Sequence, residues 1–212
     1  MAPPSPGLSR LVRVTLMRLI LVRHGETQSN VDKLLDTAHP GAPLTARGHE
    51  QAEKLAEALA HEEIDALYAS TLTRAQQTAA PLAKTRGLST LIIDGIHEIA
   101  AGVEEMNSDW RNYIDMLWSW SEYNMDAKLE DGESLREFLD RFNTAITRIE
   151  EEGHERVAVI SHGAALRVWA IYQDPEFTAE HALPLGNTDW IVMNGSNADG
   201  WKIEKWADHP VD

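Results

Sequence analysis

The chain has 212 residues, 43% of them apolar and 25% charged, and its 34 acidic against 19 basic residues leave a formal net charge of −15. That balance suits a soluble globular protein with a sizeable core and disfavours a general affinity for nucleic acid or anionic membrane, so any anion site must be a local basic pocket on an acidic body. Cysteine is absent, which removes disulfides, thiolate catalysis and cysteine metal ligands.

Residues 1–16 begin with a Pro-, Ser- and Gly-rich stretch and read as a tail. Arg10, Arg13 and Arg18 break up the N-terminal apolar residues, so neither a signal peptide nor a span of roughly 20 apolar residues is expected, and the cytoplasm is the default compartment. Met17, one residue before the first strand, is a conceivable alternative start. Strand-length apolar runs are predicted at Arg18–Val22, Ala66–Ser70, Thr90–Asp94, Val157–Ser161, Trp190–Asn194 and Trp201–Trp206. The first, second and fourth are apolar throughout, the pattern of parallel strands covered on both faces. Thr45 is placed to cap a helix whose stripe is Ala52, Leu55, Ala56 and Leu59. A second helix is predicted over Thr73–Arg86, with Pro81 as a kink. Ser134 and Glu137 make a capping box, and Leu135, Phe138, Leu139, Phe142, Ile146 and Ile149 continue as a helical stripe that Gly153 ends. Strand–helix alternation predicts a three-layer α/β/α sandwich around a mostly parallel sheet. A single domain over 17–212 is expected, with an irregular insertion at about 96–132.

Ligands of open parallel sheets bind beyond the carboxyl ends of the strands. The first strand ends in Arg23-His24-Gly25, the second leads to Arg74 at the opening of a helix, the third is followed by Glu98, and the fourth ends in Ser161-His162-Gly163. Together these are a set for phosphoryl transfer. Guanidiniums hold phosphate oxygens with forked hydrogen bonds, a neutral imidazole attacks phosphorus, a second imidazole donates, and a carboxylic acid protonates the leaving oxygen. Gly25 and Gly163 are expected to let backbone approach the anion. Taken singly each piece has an ordinary alternative: a surface Arg-His pair, a turn, a solvated acid. Their joint occurrence at the strand ends carries the expectation.

The blocks Leu21-Val22-Arg23-His24-Gly25-Glu26-Thr27 with Asn30, Pro43-Leu44-Thr45-Ala46-Arg47-Gly48, Ala69–Ala79, Glu98–Gly102, Asp131-Gly132-Glu133-Ser134 and Ile160-Ser161-His162-Gly163 resemble, in order, the motifs of the histidine phosphatase superfamily, in its phosphoglycerate-mutase-like branch. The resemblance implies that His24 is a nucleophile that becomes phosphohistidine. It implies that Arg23, Arg74 and His162 form the phosphate pocket, that Glu98 is the general acid and that Asn30 lines the pocket. Residues 34–40 depart from the common pattern, so Thr37 is left without a role. Asn187 is either a support of the site or a plain turn residue.

The other histidines show no ligand spacing, so neither metal nor cofactor is expected. Glu104 and Glu105 read as solvated charges. Met106, Trp110, Tyr113, Ile114, Leu117 and Trp118 fall at near-helical spacing, followed by Trp120 and Tyr123. They form either a helix packed on the core or in a homodimer interface, or an apolar wall against the substrate. The reaction expected is hydrolysis of a small phosphorylated metabolite by a metal-independent phosphomonoesterase of histidine acid phosphatase type. The alternatives are a phosphoglycerate mutase and a non-catalytic phosphate- or phosphoprotein-binding module. The nine acidic residues between Ile99 and Ser134, against Arg111 and Lys128, lead us to expect a like-charged lid that disfavours a bisphosphorylated acid.

Overall fold

The computed structural model describes residues 16–177 and 182–207. All but one residue of the expected tail thus lies outside the described residues, as do His181 and His209. The first strand, β1 (Met17–Arg23), sends Leu19 and Leu21 into one buried cluster and Ile20 and Val22 into another on the opposite face of the sheet. A strand apolar at successive positions is stable only where both faces are covered, which fixes β1 in the middle of the fold.

In chain order there follow α1 (Gln28–Val31), α2 (Ala46–Ala58), β2 (Ala66–Ala69), α3 (Thr73–Arg86), β3 (Thr90–Ile92), α4 (Arg111–Ser119), α5 (Leu135–Glu151), β4 (Arg156–Ser161), α6 (Gly163–Gln173), β5 (Trp190–Ser196) and β6 (Gly200–Trp206). The sheet order is β3-β2-β4-β1-β5-β6. The first four of these run parallel; β5 is antiparallel to β1, and β6 to β5. Leu55, Ala79 and Leu82 of α2 and α3 pack on one face. Tyr113 and Met116 of α4, Phe138, Phe142 and Ile146 of α5 and Trp169 of α6 pack on the other. This is the expected α/β/α sandwich. On the second face Trp120, Phe138, Phe142, Trp169 and Trp201 form a run of ring contacts with centroids 5.1–6.4 Å apart, and such contacts add to simple burial.

Local signals hold where they are specific. The Thr45 side chain accepts from Gly48 N at 3.0 Å and caps α2, and Ser134 and Glu137 form a reciprocal box at the head of α5. Gly153, with φ 77°, follows the end of α5. Three features differ from expectation. β3 stops at Ile92, two residues short. The insertion is not irregular throughout, since it contains α4, but Met106 stands outside that helix with φ 61° and an exposed side chain. Helix α6 was not anticipated. Its sequence GAALRVWAIYQ places apolar residues on nearly every side, so no stripe announces it. No helix of the described residues is long and apolar enough to cross a membrane.

Candidate active site

Strand register brings the two histidines together. Arg23 of β1 pairs with Ser161 of the adjacent parallel β4, so the next residues, His24 and His162, leave the sheet side by side. Their ring centroids are 5.2 Å apart. His24 N donates to Ser161 O at 3.0 Å. Arg74, second residue of α3, arrives from the end of β2.

The ring of His24 is held at both nitrogens. Nδ1 faces Gly25 O at 2.7 Å; a carbonyl can only accept, so Nδ1 carries the proton. Nε2 is then the lone-pair nitrogen, and Arg74 Nε donates to it at 3.0 Å. His162 Nε2 lies 2.7 Å from Ser70 Oγ, a hydroxyl that also accepts from Leu72 N at 3.2 Å. Both imidazoles are almost completely buried. Burial first, then the charges of Arg74 and Arg23, holds His24 well below the usual imidazole value. Burial, then Arg74, does the same to His162. Neutral imidazole is the nucleophilic form.

Among the described residues of this corner, three buried nitrogens have no hydrogen-bond partner: Arg23 Nε, Arg74 Nη1 and His162 Nδ1. The remaining atoms of those side chains are fixed. Arg23 Nη1 donates to Leu185 O, and Arg74 Nη2 donates to Asp36 O at 2.7 Å. Asp36 Oδ1 stands 3.5 Å from Arg74 Nη1 as an ion pair. Burial lowers the pKa of both guanidiniums, yet an arginine keeps its charge. Unsatisfied cationic donors inside a protein are costly unless an anion completes them.

Glu98 sits on the N-terminus of α6. Its Oε1 accepts from Ala165 N at 2.8 Å and from Ile99 N at 2.9 Å, and its Oε2 from Ala164 N at 3.1 Å. Asn30 caps α1 reciprocally with Thr27, and its Oδ1 also accepts from Asn187 Nδ2 at 3.1 Å. Asn187 Nδ2 donates at the same distance to His24 O. Of the two readings of Asn187, the support of the site is the one the geometry follows.

Arg23, His24, Asn30, Arg74, Glu98 and Gly163 line one cavity of about 390 Å³; His162 is not among its lining residues and stands fully buried beside His24. Gly163 has no side chain because a Cβ there would stand 3.2 Å from Arg23 Nε. Gly25 departs from expectation. Its N–H goes to Thr78 Oγ1 at 3.0 Å, and its bareness admits Gly48 O, 2.7 Å from where a Cβ would be. It serves the packing of α2 rather than an approach to anion. The departure at Glu105 has the same character. Its carboxylate accepts from Thr37 N, Thr37 Oγ1 and Ala38 N, and Thr37 Oγ1 accepts from Ala101 N at 3.1 Å. Glu105 thus ties the 34–40 loop to the insertion instead of standing in solvent.

Sequence reasoning missed Asp36 and Gly41, which hold Arg74, and Thr78, which accepts from Gly25. Thr78 lies within the motif block at 69–79. Asp36 and Gly41 lie in or beside the segment that departs from the pattern and carry no local signal. The insertion supplies both of its candidate roles at once. Tyr113, Met116 and Trp120 are buried in the core cluster, and Tyr113 and Trp120 also border the cavity, whose wall Trp110, Ile114, Leu117 and Trp118 continue. The expected like-charged lid is corrected. Asp109 pairs with Arg111, Asp126 with Arg136 and Glu133 with Arg141, and no acidic residue of the insertion past Glu98 lines this cavity.

A neutral imidazole beside two buried guanidiniums that keep N–H groups without hydrogen-bond partners suits phosphoryl transfer. The sequence profile of the histidine phosphatase superfamily (branch 1) matches residues 19–209, and the chain belongs to that family. It is 37% identical over 158 residues to "Adenosylcobalamin/alpha-ribazole phosphatase" of Escherichia coli (strain K12), a match covering 71% of this chain and 75% of that one. It is 48% identical over 214 residues to "PE-PGRS family protein PE_PGRS11" of Mycobacterium tuberculosis, covering 90% of this chain but only 36% of that relative's length. It is 32% identical over 209 residues to "Probable phosphoglycerate mutase GpmB" of Enterobacter sp. (strain 638), covering 91% of this chain and 94% of that one. These matches support a phosphatase or mutase-like activity.

Proposed function

We propose that the protein is a phosphomonoesterase of histidine acid phosphatase type that needs no metal and works through a phosphohistidine on His24. The observation that carries this reading is that Arg23 and Arg74, whose Nε and Nη1 lack hydrogen-bond partners, line one cavity with a His24 whose Nε2 holds the lone pair. The two guanidiniums take the non-bridging oxygens of a bound phosphoryl group, with His162 beside His24 as a further donor and the Asn30 amide next to them. His24 Nε2 displaces Arg74 Nε as its partner and attacks phosphorus in line, while the P–O bond to the substrate alcohol breaks. Glu98 gives its proton to the departing oxygen. It then takes a proton from the water that hydrolyses the phosphohistidine, which returns His24 and releases inorganic phosphate. Fixed cations neutralise the developing charge where other phosphatases use metal ions.

Hydrolysis rather than mutation is favoured by the chemistry beyond the phosphate floor. A mutase must hold a second anionic group. Among the described residues, the lining away from Arg23 and Arg74 offers Arg167 as its one further cation, amid mostly apolar side chains. The printed name of the E. coli relative agrees with hydrolysis; that of the Enterobacter relative keeps the mutase reading alive.

The test is turnover of p-nitrophenyl phosphate in the presence of EDTA, followed by acid and alkaline quenches with radiolabelled substrate. An acid-labile, base-stable label should form on the protein, and His24→Ala should lose at least about 10³-fold in kcat, since nucleophile and pocket act as a unit. Full activity in His24→Ala, or loss on chelation that Mg²⁺ or Zn²⁺ restores, would refute the reading. With 3-phosphoglycerate and catalytic 2,3-bisphosphoglycerate, rapid isomerisation with little free phosphate would turn it into the mutase.

A further inference from the structure

Above the phosphate floor the cavity is walled by two helices and two short loops, and the side chains they present are almost all apolar. Trp110, Ile114 and Trp118 come from α4 and its leading edge, Val168 and Tyr172 from α6. Among the described residues only a dozen large hydrophobic side chains are exposed, and four of these, Trp110, Ile114, Trp118 and Tyr172, face this one cavity. A soluble protein seldom concentrates wet aromatic surface without a ligand to cover it.

The aromatic wall is also held in place. Trp110 Nε1 donates to Lys33 O at 2.7 Å. Trp118, though 61% exposed, lies with the Arg167 guanidinium 4.9 Å from its ring centroid, and Arg167 Nε is anchored on Ala182 O at 2.7 Å. A ring fixed before the ligand arrives loses little entropy on binding.

The two carboxylates of the lining are already engaged. Asp36 accepts from Ser29 Oγ and Ala42 N beside its pairing with Arg74, and Glu98 is bound to the head of α6. An anionic or strongly hydrated substrate body would therefore lose water against apolar walls with little in return. The volume of about 390 Å³ lies at the small-molecule end of the range for ligand sites. A phosphoprotein would leave most of these walls unused.

We infer that the substrate is a phosphomonoester of a bulky, largely apolar alcohol, with an aromatic body that lies between α4 and α6 against Trp118. This rests on the proposed phosphatase reading and specifies its substrate class. Trp118 is a specificity residue, and Arg167 positions it.

The experiment compares kcat/KM for three phosphates of primary alcohols, so that leaving-group chemistry is nearly constant: 2-(1-naphthyl)ethyl phosphate, ethyl phosphate and glycerol 3-phosphate. p-Nitrophenyl phosphate serves as the activity control. The naphthylethyl ester should exceed glycerol 3-phosphate by about 10²-fold, the order expected from burying one aromatic body. Trp118→Ala should cut that ratio at least tenfold, and because Trp118 is largely exposed the variant should fold. Arg167→Gln, which removes the cation beneath the ring, should lower the ratio in the same direction. Turnover with equal kcat/KM for all three esters, or preference for glycerol 3-phosphate, would overturn the substrate class while leaving the phosphatase reading intact. A ratio unchanged in Trp118→Ala would remove Trp118 from it. Absence of turnover on every ester, p-nitrophenyl phosphate included, would defeat the phosphatase reading itself.

Discussion

Arg74 can address a phosphate because its guanidinium is clamped from three sides. Nε is on His24, Nη2 is on Asp36 O, and the Asp36 carboxylate stands opposite Nη1. Gly41 completes the clamp by leaving space. A Cβ there would come 2.2 Å from Arg74 Nη1, and the backbone has φ +69°, a conformation that costs an L-residue roughly 1–2 kcal/mol. Gly41→Ala should thus lower stability by about that amount and move the guanidinium. A displacement on the order of 1 Å at such a group can cost about 10²-fold. Kinetics with p-nitrophenyl phosphate, alongside a melting curve, would check both effects; an unchanged kcat/KM would show that the clamp does not matter.

Glu98 holds a similar double duty, as the cap of α6 and as the proposed acid. Glu98→Gln keeps an oxygen for the helix N–H groups but has no proton to give. It should slow ethyl phosphate about 10²–10⁴-fold, the usual worth of a general acid. p-Nitrophenyl phosphate, whose leaving group scarcely needs a proton, should slow by less than about tenfold. Equal losses on the two substrates would show that Glu98 is only a cap.

The end of α4 divides into two jobs within three residues. Trp120 is buried, stacks on Phe138 with centroids 6.4 Å apart and donates from Nε1 to Ala127 O at 2.8 Å. Trp118, two positions earlier, lies over Arg167 at the cavity. Trp120→Ala should cost about 3–5 kcal/mol, the range for deleting a buried aromatic ring. Trp118→Ala should cost well under half of that, since it removes an exposed ring and one cation–π contact. Urea unfolding of the two variants checks the contrast, and equal midpoints would contradict the division. The aromatic spacing in the insertion was legible in the sequence. It could not say which rings faced the core, because both the core face and the cavity face of this helix are apolar. The same ambiguity concealed α6.

For the whole molecule, the pH response should follow the buried histidines. His24 and His162 are pushed down chiefly by burial, and His97 is lowered too, by burial and then by Arg141. The unfolded chain protonates these imidazoles near pH 6.5, whereas the folded chain does so only at lower pH. The unfolded state therefore binds more protons below about pH 6.5. Stability should be full above that value and fall as the pH drops through it, by up to about 1.4 kcal/mol per pH unit for each histidine. Denaturant titrations between pH 7.5 and 5.5 should show this slope, and it should be shallower in His162→Asn. An identical slope in the variant would sink the assignment. The acidic body adds to the picture at long range. With a net charge of −15, only a local cluster of guanidiniums can make an anion welcome, and such a cluster forms at the strand ends.

The sequence by itself determined the sheet-and-helix alternation and the placing of Arg23, His24, Arg74, Glu98 and His162 at element ends. Their signals are local: apolar runs, capping residues, and motif blocks whose chemistry needs particular side chains at particular spacings. It also carried the family, since the motifs lie in order along one chain. Only the tertiary structure decided what those residues do to one another. The register of β1 against β4 sets His24 beside His162, 138 positions apart in the chain. The fold brings Asp36 and Gly41 around Arg74 and Asn187 onto the His24 backbone, and it keeps the insertion's acids past Glu98 off the cavity wall that Trp110, Trp118 and Trp120 help to line. Contacts between residues far apart in sequence depend on how elements pack, and packing is settled by the whole core rather than by any short stretch of it.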